Sequence, residues 1–137
     1  MAYASQGWVK DLLKKVLKKC KDEGLNKYSE EEIVIGKWID GKPIYRKVFN
    51  VTFPSREIGY YEIPLANIGV QNVAYMLNIY GTALKADGYT IIINAGTYTE
   101  SAFIDCNLSK QVLWFYSTGG AGSASGKCII EYTKTTD

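Results

Sequence analysis

Four carboxylates stand in strand-like or turn-like surroundings: Asp87, Glu100, Asp105 and Glu131. Two such groups facing each other across a cleft would supply the acid and the base or nucleophile of a glycosidase. Their spacing singles out no pair. A second motif, GGAGSASGKC over residues 119–128, invites comparison with a phosphate-binding loop. It fails on register, because a Gly126-Lys127 pair requires glycine at 121, where Ala121 stands. Cys128 also replaces the Ser or Thr that would hold magnesium, and the sequence that follows is strand-like, so no helix N-terminus points at a phosphate. A surface loop between two strands is the simpler reading. Histidine is absent, which removes the commonest metal ligand and general base. Cys20, Cys106 and Cys128 form an odd set without close pairing, unlike a disulfide framework. Cys106 and Cys128 lie in apolar settings suited to buried thiols. We assign no catalytic, cofactor-binding or metal-binding residue, and no ligand-binding residue is named.

The elements that would position any site are mostly strands. The 137 residues make one domain, and a hydrophobic share of 47% is enough for a core. Eleven tyrosines and three prolines, with frequent Thr, Val, Ile and Gly, favour strands and turns. The net charge of +2 does not by itself imply nucleic acid, although Lys10, Lys14, Lys15, Lys18, Lys19, Lys21 and Lys27 crowd one end. No apolar segment approaches a membrane span and no signal peptide is evident, which points to synthesis in a cytoplasm.

Residues 8–23 read as a helix closed by Gly24. Val9, Leu13, Val16 and Cys20 follow a heptad seam, widened by Leu12 and Leu17, with lysines opposite. Such a short helix needs a partner. Packing on its own subunits, docking on another protein and lying on a membrane are the three ways to supply one, in that order of preference.

A hairpin follows, with strands over 31–39 and 42–53 and a two-residue Asp40-Gly41 turn in which both residues take positive φ. That register sets Trp38 opposite Pro43 and Gly36 opposite Tyr45. Pro43 then implies that no third strand pairs at that point. Further strands are expected over 60–64, 73–80, 89–94, 98–105, 111–117 and 127–135, with turns at Asp87-Gly88 and Ala95-Gly96. In QVLWFYST, Trp114 and Tyr116 share one face and Phe115 takes the other. The face not used for the core is best read as a subunit contact, with solvent or a sugar as the alternatives.

Residues 31–47, EEIVIGKWIDGKPIYRK, resemble a segment reading "(E)VVGKWIDGKPLYRK". That segment opens a small β domain in structural proteins of bacteriophages and prophages: tail-fibre tips, minor tail proteins and head fibres. The domain commonly ends in a strand similar to "VTLEYTKTTD", matched by IIEYTKTTD over 129–137. The resemblance brackets residues 28–137 and carries no catalytic residue.

The reading is therefore a mainly β protein: a β-sandwich or jelly-roll-like domain over 29–137 behind an N-terminal amphipathic helix over 1–28. The resemblance implies a virion structural protein, a tail or head fibre or spike component, made in the host cytoplasm and carried on the particle. The helix seam and the aromatic surplus imply a homo-oligomer, and fibre kinship makes it a trimer. Other virion proteins would be met through the helix and a host-surface glycan through outer loops, the Gly-rich loop among them, with no cofactor, nucleic acid or membrane. The initial methionine and complete terminal motif point to a whole chain. Two alternatives differ in class: a tail-spike enzyme that degrades polysaccharide, and an adaptor joining other virion proteins.

Overall fold

The computed structural model describes residues 2–22, 27–54, 60–95, 100–119 and 123–137. One helix precedes eight strands. They are α1 (Ala2–Asp22), β1 (Ile33–Lys37), β2 (Pro43–Thr52), β3 (Tyr60–Pro64), β4 (Val73–Leu84), β5 (Thr90–Ile92), β6 (Glu100–Asn107), β7 (Val112–Gly119) and β8 (Ser125–Lys134), with a 3-10 turn at Leu65–Ile68. The strands form two antiparallel sheets, ordered β1-β2-β8-β4-β5 and β3-β7-β6. The expected mainly β, sandwich-like domain with an N-terminal helix is the fold observed. The helix begins earlier than expected, because nothing before Gly7 breaks it and one glycine costs a helix only about 1 kcal/mol. Gly24, the Gly96 turn and residues 120–122 of the Gly-rich loop lie outside the described residues.

The core lies between the sheets. The large sheet contributes Phe49, Val51, Ala83, Cys128, Ile130 and Tyr132, and the small sheet Ala102, Ile104, Leu113 and Phe115. Phe115 is the hub. Its ring meets Phe49 edge-on at 6.4 Å, Phe53 at 6.3 Å and Tyr61 in a parallel stack at 5.1 Å. The alternation expected in QVLWFYST holds, with Phe115 inside and Trp114 and Tyr116 outside.

At the centre of the large sheet β4 and β8 approach so closely that side chains are excluded. A Cβ on Gly126 would lie 2.0 Å from the Thr82 carbonyl oxygen, and one on Gly81 would lie 2.2 Å from that of Lys127.

Two Asp-Gly turns share one geometry. Gly41 N–H donates to Trp38 O at 2.9 Å, Trp38 N–H donates to Lys42 O at 2.8 Å, and Lys42 N–H donates to Asp40 Oδ1 at 3.0 Å. At the second turn Gly88, Lys85, Tyr89 and Asp87 repeat the pattern at 2.9, 2.9 and 3.0 Å. Only the glycine of each pair has positive φ, +87° at both. These are three-residue loops with a bulge at the glycine, not two-residue turns. The expected register is corrected accordingly. Pro43 faces Lys37, Gly36 faces Ile44, and Tyr45 faces Val34 across an irregularity between Val34 and Gly36. The aspartate carboxylate decides the matter by accepting the N–H beyond the glycine, which closes the longer loop. The expectation for Pro43 holds, since the β2–β8 ladder starts only at Tyr45.

The sheets are tied together by two side-chain amides that imitate a strand. Gln111 accepts from Val73 N–H at 2.9 Å and donates to Val73 O at 3.0 Å. Asn94 accepts from Ile104 N–H at 2.8 Å and donates to Ile104 O at 3.0 Å. Both residues hold positive φ, 53° and 62°.

Candidate binding surfaces

The three described carboxylate side chains of the expected set lie on three different surfaces. Asp87 sits in the β4–β5 turn, 3.4 Å from Lys85 Nζ. Its backbone hydrogen bond from Tyr89 and the nearby lysine hold its carboxyl below the usual range. Glu131 is on the outer face of the large sheet and Asp105 on that of the small sheet. The Glu100 side chain is outside the described set.

Glu131 belongs to a closed network. Arg46, its ladder partner, donates from Nε at 2.7 Å, and the two side chains are only 9% and 15% exposed. Tyr80 Oη donates to the same carboxylate at 2.8 Å. Arg46 also donates from Nη1 to Lys27 O at 2.8 Å and lies 4.5 Å from the Tyr28 ring centroid. Burial alone would lower the guanidinium pKa, but the Glu131 hydrogen bond and charge outweigh it and hold it above its ordinary value. Burial and the Glu131 bond push the Tyr80 phenol up. The segment before β1 is thus strapped along the sheet, and Val48 N–H donating to Ser29 O at 2.8 Å extends the seam. Every charge in this network has a partner, so its chemistry is structural.

The outer face of the small sheet differs. Ladder pairing sets Tyr60, Tyr116 and Phe103 in one row and Glu62, Trp114 and Asp105 in the next. Tyr60 stacks diagonally on Trp114 at 4.9 Å and 15°, and Phe103 stacks on Tyr116 at 4.8 Å and 18°. Tyr116 Oη donates to Asp105 Oδ2 at 3.3 Å. Burial first, then the Asp105 charge, pushes the Tyr116 phenol up. Tyr60, Asp105, Trp114, Tyr116 and Ser117 line an open cleft of about 350 Å³. Trp114 Nε1 is buried and has no hydrogen-bond partner among the described residues. A second hollow of about 330 Å³, on the other side of Asp105, is lined by Met76, Asn78, Asn94, Ile104 and Cys106 among others.

The third surface is α1. Trp8, Val9, Leu12, Leu13, Val16 and Leu17 are all between 45% and 66% exposed, so the expected seam is present and uncovered. The Cys20 side chain at its end lies outside the described set. Among the described residues no helix is long and apolar enough to cross a membrane, and no cluster of acidic and cysteine side chains is suited to a metal. Cys106 and Cys128 are free thiols, and burial pushes them up to about 11 and about 12, which makes them inert.

The sequence pointed to Trp114, Tyr116 and Asp105 as separate features. Tyr60, Glu62 and Phe103 went unnoticed, because their neighbours on the face come from non-local pairing of β3 and β6 with β7. No family model, no curated protein and no solved structure matches this chain.

Proposed function

We propose that this chain is a structural component of a bacteriophage particle, of the tail- or head-fibre kind, assembled as a homotrimer through α1 with the sandwich displayed outward. The observation that carries this reading is the bare seam of α1 beside a β domain that buries its own core. A lone helix of 21 residues with an exposed apolar stripe is marginal in water, and sister copies supply the missing cover. The wording of residues 31–47 and 129–137 adds support. The two segments lie far apart in sequence, yet they form adjacent strands β1, β2 and β8 of one sheet. The resemblance therefore falls on one continuous piece of the molecule.

Lys10, Lys14, Lys15 and Lys18 leave the helix strongly basic, which suits an acidic seat on a neighbouring virion protein. Immunogold labelling of purified particles with antibodies to the β domain tests the assignment. Gold on the particle periphery is the expected result. Unlabelled particles beside a labelled soluble fraction would contradict it.

A further inference from the structure

The geometry points to the cleft on the outer face of the small sheet as a subsite for one neutral pyranose ring of an oligosaccharide. The site deepens the display role proposed above and rests on it for biological meaning, but its geometry stands alone.

The walls and the polar groups fit one ligand chemistry together. Tyr60, Trp114 and Tyr116 supply aromatic surface, and the two ring pairs hold each other in place through stacking. Rings fixed this way offer apolar contact without ordering cost. Between them stand the hydroxyls of Tyr60 and Tyr116 and the Asp105 carboxylate. Tyr116 already donates to Asp105, so its hydroxyl oxygen is left to accept, whereas Ser117, on the Phe115 side of β7, spends its hydroxyl on Pro54 O at 2.9 Å. A pyranose has C–H faces for the rings and a rim of hydroxyls that donate to these oxygens and to the carboxylate.

Other occupants use less of what is there. A flat hydrocarbon would cover the Tyr60 and Tyr116 hydroxyls and the Asp105 carboxylate without adding a partner for any of them. A quaternary ammonium would use the rings and the charge of Asp105 but none of the hydroxyls. Asp105 is also solvent-exposed, where attraction between charges is screened. An anion would be repelled by Asp105 and Glu62, both exposed on this face. The same two carboxylates oppose cover by an identical face, which would bring like charges together. The volume of about 350 Å³ suits a single small ligand.

The indole N–H signal of Trp114 in the full-length 15N-labelled chain, identified by its loss in Trp114→Phe, reports on the cleft. Titration with neutral cello-, malto-, chito- and galacto-oligosaccharides is expected to move it saturably for at least one series, with a Kd on the order of 1 mM. Tyr60→Ala is expected to weaken that binding about tenfold, the scale of one lost ring contact, with circular dichroism unchanged. Asp105→Ala, on another strand, is expected to weaken it as well.

Four results would overturn the site: no sugar moves the signal at about ten times that concentration; both variants bind unchanged; tetramethylammonium binds where sugars do not; or protein concentration alone moves the signal. The fibre reading is judged separately by solution mass. A trimer that binds no sugar removes only the subsite, and a monomer that binds sugar removes only the assembly.

Discussion

On the outer face of the large sheet, Arg46 and Glu131 are sealed by Tyr80, by the Tyr28 ring and by the chain at Lys27. On the outer face of the small sheet, stacked aromatic rings and the carboxylates of Glu62 and Asp105 stand open, and Tyr60 remains 56% exposed. Both faces belong to one sandwich and share one core. The first spends its polar groups on itself, and that closure is the mark of a structural device. The second leaves outer ring surface and charged carboxylates facing water, a costly use of apolar surface unless something else meets it. A buried charge pair therefore says less about function here than an exposed, ordered aromatic row.

The hardest break lies beneath the large face, at the β4–β8 contact. Gly126→Ala drives a methyl against the Thr82 carbonyl, with no flexible side chain to yield. The expected cost is more than about 4 kcal/mol, seen as loss of soluble, folded protein in circular dichroism. Next comes the sealed face. Arg46→Ala strands the Glu131 carboxylate and is expected to cost about 3 kcal/mol in urea unfolding. Tyr60→Ala, its counterpart on the open face, is expected to cost only about 1 kcal/mol, the value of one exposed ring stack. Equal costs for the two would erase the distinction between the faces.

A pH dependence reads the core that both faces share. Folding raises the Cys128 thiol to about 12 and Cys106 to about 11, both by burial. The unfolded chain loses these protons first, so the contribution to stability is full below the ordinary thiol range, near pH 9. It is lost as pH rises through the folded values. Thermal unfolding midpoints are expected to fall steadily from pH 9 to pH 11, and Cys128→Ser to flatten part of that slope.

Local chemistry made much of the fold legible. Period-two alternation set Phe115 on the face opposite Trp114 and Tyr116, which is the inner face, and the strand expected over 60–64 is β3 as found. The Asp-Gly pairs marked both turns, but such a pair serves a two-residue or a three-residue loop equally well. The choice lay with the aspartate oxygens and shifted the first hairpin by one residue. Strand order was not legible. That β8 runs between β2 and β4, and that Gln111 and Asn94 replace strand partners, depends on contacts distant in sequence. The open face was half legible for the same reason: Trp114 and Tyr116 sit on one strand, while Tyr60 and Phe103 arrive from two others.

The central claim is that the bare stripe of α1 is covered by sister copies. Sedimentation equilibrium of the full chain tests it most directly. The account predicts three times the chain mass of 15.3 kDa, collapsing to a folded monomer in Leu13→Asp. A 15.3 kDa species at every concentration in the unsubstituted chain would contradict it.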